Sequence, residues 1–147
     1  MIVAAGPTAV PVAIAAIAVF VLCVALVVLV ARQSGPGPSD VAVAYEYAWD
    51  RLDFVTVWNL AGPRMRDGRS RTEFVRDKQS AYAAEGQLAG LVRSVRPEKV
   101  DVNGPVARVL TRLELADGKN VLDEVLLERV GPTWHVASYS LANRKTG

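Results

Sequence analysis

Residues 100–118 read VDVNGPVARVLTRLELADG. Within them Ala107, Val109, Thr111, Leu113 and Leu115 occupy alternate positions, with Arg108, Arg112 and Glu114 between them. A period of two places these sets on opposite faces of a strand, one toward a core and one toward water. Asn103-Gly104 before the run and Asp117-Gly118 after it are hairpin-turn signals. The reading therefore extends both ways. Upstream, a β region opens across Leu88 to Val95, is interrupted by Pro97 at an edge or bulge, and continues through Val100 and Val102. Downstream, Val121 to Val130 forms a strand, Gly131-Pro132 a turn, and Trp134 to Leu141 a last strand. Three turn signals between adjacent strands predict a four-stranded antiparallel meander.

The residues before the sheet carry a helical period. Val41, Ala44, Tyr45, Ala48, Leu52 and Val55 recur at spacings of three, four and seven, one apolar face of a helix capped by Ser39 or Asp40. Trp49 and Trp58 fall off that stripe. Asp53 is placed to cap a second short helix carrying Phe54, Val57 and Leu60, which Gly62-Pro63 ends. Ser70-Arg71-Thr72-Glu73 is a capping box that starts a third helix, with Phe74, Ala81 and Tyr82 facing inward and Gly86 as its stop. Helices first and strands after predict an α+β domain, three helices packed on one face of a curved sheet.

The chain of 147 residues has room for about one such domain, because its N-terminal part is of another kind. From Met1 to Ala31 there is no Asp, Glu, Lys or Arg, and fourteen of residues 9–31 are Val, Ile, Leu or Phe. A helix of roughly 23 residues crosses about 30 Å of hydrocarbon, and this composition favours insertion by about 5 kcal/mol. A cleaved signal peptide fits less well: no basic leader precedes the run, it exceeds the usual h-region, and Leu29-Val30-Ala31 is a poor cleavage site. The expectation is a tail at 1–8, a single membrane-spanning helix at 9–31, a Gly/Pro linker at 32–38, a domain at 39–142 and a polar tail at 143–147. The linker is too short to carry the domain far from the bilayer. Arg32 alone pulls the C-terminal side toward the cytoplasm.

Composition excludes several function classes. The net charge is +2, with acidic residues interspersed among the arginines, so no nucleic-acid partner is expected. One His and one Cys, the latter (Cys23) inside the apolar run, make neither a disulfide nor a zinc site. No phosphate loop is present, and neither a cofactor nor a metal is expected. Arg64, Arg66, Arg69 and Arg71 are the densest charge feature. They read first as a solvated loop paired with Asp67, Glu73 and Asp77, and as candidate contacts to an anionic lipid surface or acidic partner.

In this order of elements the chain resembles the nuclear-transport-factor-2-like superfamily of cone-shaped α+β domains. The residues that carry the likeness are Arg51-Leu52-Asp53-Phe54 with Trp58-Asn59-Leu60 following, the helix bearing Phe74, and the closing Gly131-Pro132-Thr133-Trp134-His135-Val136 strand. It covers about residues 39–142. Membrane-anchored bacterial members often lie outside the cytoplasm, so the resemblance implies an extracytoplasmic domain, against the pull of Arg32. It also implies a conical pocket between helices and sheet. Candidates to line it are Tyr45, Trp49, Trp58, Tyr82, Asp123 and Trp134. Enzymatic members would use a carboxylate with a tyrosine. Asp123 is the acidic residue in register with Val121, Val125 and Leu127, and Tyr45, Tyr82 and Tyr139 carry hydroxyls. His135, between Trp134 and Val136, is expected to point to solvent, and no residue is assigned as catalytic. The function expected is a membrane-tethered, non-enzymatic scaffold of a bacterial envelope complex, associating with a protein partner or a second copy through the sheet face. The alternatives are a small-molecule or lipid binder and, third, an isomerase- or dehydratase-type enzyme. A filled apolar pocket favours the scaffold, an open pocket lined by Trp and Tyr the binder, and a buried Asp123 or His135 with a shifted pKa beside a Tyr the enzyme.

Overall fold

A computed structural model describes residues 9–33, 35–84 and 89–142. The chain divides into two compact units, residues 1–35 and 36–147. In the first, helix α1 runs Ala9–Gln33. Its described side chains lie between Ile14 and Leu29 and are apolar on every face, and all are exposed, Phe20 the most at 70%. Among the described residues no helix is long and apolar enough to cross a membrane.

The second unit is the α+β domain. Its sheet has the order β1-β2-β3-β4 with every pair antiparallel: Val92–Asn103, Val106–Leu115, Asn120–Val130 and Thr133–Leu141. The meander and all three turns lie where the Gly signals placed them. Gly104, Gly118 and Gly131 each adopt a positive φ, which a side chain would oppose. Residues 107, 109, 111 and 113 of β2 are buried as the alternation required. Leu88 falls outside the described residues, and β1 starts later than expected, at Val92. Register shifts at Val92/Ser94, Pro97/Lys99 and Leu126/Leu127 bend the sheet, since each bulge adds a residue to one strand only.

Four helices, not three, precede the sheet: α2 (Pro38–Asp50), α3 (Phe54–Leu60), α4 (Pro63–Arg66) and α5 (Arg71–Tyr82). The extra one, α4, arises because Pro63 does not stop the chain but starts a new turn. A proline is tolerated at the first helical position, where no N–H is needed. Two starts match expectation. Asp53 accepts from the Thr56 N–H at 3.1 Å, and Ser70 and Glu73 form their reciprocal box at 3.3 and 2.8 Å. The α2 start differs: Gly37 is the N-cap, Pro38 follows, and Asp40 reaches back to the Gly37 N–H at 3.1 Å. The expected Gly86 stop lies outside the described residues.

The buried face of α2 also differs from the predicted stripe. Val41, Ala42, Tyr45, Glu46 and Ala48 are buried, whereas Ala44 and Val55 are exposed and Leu52 leaves the helix with a left-handed φ of 54°. The reason is geometric. Helix α2 lies in the hollow of the sheet and touches all four strands, so it buries two adjacent rows rather than one. Likewise Ala81 is exposed at the end of α5, where no strand covers it.

Two ties fix α2 and α3 to the sheet. Asp50 Oδ1 accepts from the N–H groups of Leu91 and Val92 at 2.8 and 2.9 Å, and the Tyr47 hydroxyl accepts from Val95 N–H at 3.1 Å. After α3, Ala61 pairs in parallel with Val136, and Gly62 N–H donates to the Val136 carbonyl at 2.8 Å. That approach brings the chain over His135. The histidine is consequently half-buried rather than solvent-facing, with Nδ1 buried and without a hydrogen-bond partner.

Candidate functional site: a buried acidic pair in an aromatic hollow

The concave face of the sheet carries a polar cluster under α2. Glu46 and Asp123 are both 4% exposed and Thr111 is 0% exposed. Thr111 and Asp123 are cross-strand neighbours on β2 and β3. The Thr111 hydroxyl donates to Glu46 Oε1 at 3.1 Å, and the Asp123 backbone carbonyl lies 3.4 Å from the Thr111 Oγ1. A hydroxyl has one proton, so the shorter contact is the bond.

Burial disfavours the charged form of a carboxyl. Loss of water pushes Glu46 up to about 7, the Asp123 charge adds to that rise, and the Thr111 bond opposes it. Asp123 is raised by loss of water. The Asp123 charge acts on Glu46, so near neutrality the two carboxyls carry less than two full charges. Tyr45 is fully buried above the pair and pushed up to about 12, chiefly by burial. The Trp49 indole N–H acts on it as a donor from nearby, but neither Tyr45 Oη nor Trp49 Nε1 reaches hydrogen-bond geometry. Asp123 Oδ1 is also buried without a partner. Three unpartnered polar atoms thus accompany one buried acidic pair, whereas buried polar atoms elsewhere are normally satisfied.

Aromatic rings wall this hollow. Tyr45 meets Trp49 edge-on at 6.3 Å and Tyr139 at 6.0 Å, and Trp49 meets Phe54 at 5.7 Å and Tyr82 at 5.8 Å. Tyr139 is raised by burial and by the Asp123 and Glu46 charges, and at 46% exposure it forms the outer lip.

Of the six expected lining residues, Tyr45, Trp49, Tyr82 and Asp123 come together here. Trp58 and Trp134 do not. Trp58 packs on Phe74 at 5.4 Å with the Arg66 guanidinium 4.6 Å over its ring. Trp134 packs at the opposite end of β4 from Tyr139. Glu46 and Thr111 were missed as site residues. Their signal was present: Ala42, Glu46 and Trp49 stand at helical spacing on the second buried row, and Thr111 is the polar member of the inward set of β2.

The four arginines have different contacts, and Arg66 and Arg69 line one surface pocket with Lys78. Arg64 pairs with Glu128 at 3.2 Å, Arg69 with Asp77 at 3.5 Å, and Arg66 donates to the Trp58 carbonyl at 3.2 Å, while Arg71 is exposed at the start of α5. Among the described residues no group of three or more His, Cys, Asp or Glu is placed to hold a metal.

A bent meander with helices filling its hollow defines a cone-shaped α+β domain. Comparison with solved structures gives the fold its name. A protein provisionally assigned as an NTF2-like transpeptidase from Campylobacter jejuni is similar with a TM-score of 0.54 and 18% identity, over 69% of this chain and 97% of that one. A DUF4783 family protein from Bacteroides ovatus gives 0.44 and 13%, over 74% and 94%. A SEC-C motif-containing protein from Rhodopseudomonas palustris gives 0.48 and 15%, over 70% and 77%. The first of these carries the assignment: the fold is NTF2-like. No protein-family model and no curated protein matches the sequence.

Proposed function

We propose that this chain is a membrane-tethered, non-enzymatic binding domain whose site is the hollow bounded by Tyr45, Glu46, Trp49, Asp123 and Tyr139. The observation that carries the reading is the coincidence of three unpartnered buried polar atoms, Tyr45 Oη, Trp49 Nε1 and Asp123 Oδ1, in one aromatic-walled place. An unmade hydrogen bond in the interior costs about 1–3 kcal/mol. A bound molecule with matching groups removes that cost. Of the alternatives raised by the sequence, the small-molecule binder thus has more support than the pure scaffold. Ligand-observed NMR with a neutral fragment set, on the full chain in maltoside micelles, tests it. Hits should vanish in Trp49→Ala and Asp123→Asn and persist when Val102 is changed to Asp. Hits indifferent to the first two variants would overturn it.

The tether is α1. Residues 9–31 hold no charge and suffice in length for one crossing, and the described side chains of α1 present apolar surface all round, as lipid requires. On this reading the domain lies outside the cytoplasm, in the bacterial envelope. Protease added to intact spheroplasts should remove a C-terminal tag. A tag cut only after lysis would put the domain inside. The association surface expected on the sheet has a candidate at one end of it, where Val100, Val102, Val106 and Val130 are 40–56% exposed. There a protein partner or a second copy would dock.

A second reading, an isomerase- or dehydratase-type enzyme, has one observation in its favour. Glu46 near 7 suits a general base, and Asp123 is buried beside Tyr139. The transpeptidase assignment of the Campylobacter jejuni structure gains less. Acyl transfer needs an accessible nucleophile, and the hydroxyl nearest the carboxyls, Thr111, is fully buried.

A further inference from the structure

Among the described residues the acidic pair has no ion-paired countercharge. Eight ion pairs link described residues, and neither Glu46 nor Asp123 belongs to any of them. Carboxyls buried to 96% are normally paired or bound to a cation, because an isolated charge there is costly. Here the nearest polar groups are Thr111, already donating to Glu46, and Tyr45, whose hydroxyl is unpartnered. The walls are electron-rich. Tyr45, which neighbours Glu46 in α2, meets Trp49 at 6.3 Å and Tyr139 at 6.0 Å, both edge-on, and the faces of such rings attract cations. Aromatic faces in this domain already take cations: Arg66 lies over Trp58 at 4.6 Å, and Lys78 lies 5.3 Å over Trp49, a wall of the hollow itself.

We propose that the hollow is a receptor for a primary ammonium group, held by Glu46, Asp123 and Tyr45 inside the ring of aromatic side chains. This deepens the binding reading and rests on it. The match is one of donor count as well as charge. An R–NH3+ head has three donors. The acceptors waiting are the Glu46 carboxylate, Asp123 Oδ1 and the Tyr45 hydroxyl oxygen. A quaternary ammonium would leave the last two unsatisfied, and a bare metal ion would find too few ligands. The half-exposed Tyr139 and Leu141 stand on the open side, where the ligand's carbon chain would leave the site. Glu46 holds its proton at pH 6 and gives it up when the ammonium enters, so binding at pH 6 releases one proton to buffer for each ligand bound.

The test uses the full chain in uncharged maltoside micelles and two probes of equal size, n-propylammonium and n-propanol. Isothermal titration is run at pH 6 in two buffers of different ionisation enthalpy, which counts protons. The ammonium should bind with release of close to one proton. The alcohol should bind at least about tenfold more weakly, the penalty for leaving charged acceptors unmatched. Glu46→Gln and Asp123→Asn should each weaken the ammonium by a similar factor. If either variant fails to fold, proton release by the unaltered chain still decides. Equal binding of both probes without proton release would overturn the ammonium assignment and leave the hollow a neutral-ligand site. No binding of either, while the neutral fragments above also fail, would overturn both readings.

Discussion

The Thr111 hydroxyl on β2 lies 3.1 Å from Glu46 Oε1 on α2. The contact joins the helix in the hollow to the strand whose alternation defines the sheet. It is made to a buried group with a strongly displaced pKa, and stability should register it.

The sign follows from the two states. Unfolded, Glu46 loses its proton near 4.5; folded, it keeps the proton until about 7. Between these values the folded state binds more protons than the unfolded, so stability falls as pH rises across that window and levels off above it. Asp123 acts in the same direction, and the facing Tyr45 and Tyr139, both raised, stay neutral throughout. Glu46→Gln should be near neutral at pH 4, stabilise by about 3 kcal/mol at pH 8, and flatten the pH slope of urea denaturation. An unchanged slope would mean that Glu46 is ionised in the folded state.

Asp50 holds the entry to β1. Its Oδ1 takes two backbone N–H groups, those of Leu91 and Val92. Asp50→Ala should cost about 2–3 kcal/mol. Hydrogen exchange at these two amides should rise more than at Val125 in the sheet centre.

Gly62 is required by close approach. A Cβ there would stand 3.2 Å from the Val136 carbonyl and 3.4 Å from the His135 Cβ. Gly62→Ala should break the Ala61–Val136 bridge and cost about 1–3 kcal/mol. A change of His135 environment by NMR should accompany it.

Ser70 caps α5 from an exposed position. Ser70→Ala should cost about 1 kcal/mol by loss of the cap, and Ser70→Asp should recover most of it. Thermal denaturation followed by circular dichroism reads both.

Much of the fold was legible in the sequence because the signals are local. Thr111, Val109 and Leu113 alternate along one strand, Gly104, Gly118 and Gly131 need a left-handed φ, and Ser70 with Glu73 closes a cap within four residues. Each is settled by neighbours in the chain. The order of helices and strands, and with it the NTF2-like cone, follows from these. What only the tertiary structure decided is where distant residues meet. The sheet curls enough for α2 to sink against all four strands, and this moved Glu46 from a plausible surface position into contact with Thr111. The same curvature gathered Tyr45, Trp49, Tyr82 and Asp123, left Trp58 and Trp134 outside, and covered His135 with the Ala61–Gly62 segment. A helix period says which rows are apolar. How many rows are buried depends on the shape of the surface beneath, and three bulges, two in β1 and one in β4, help set that shape.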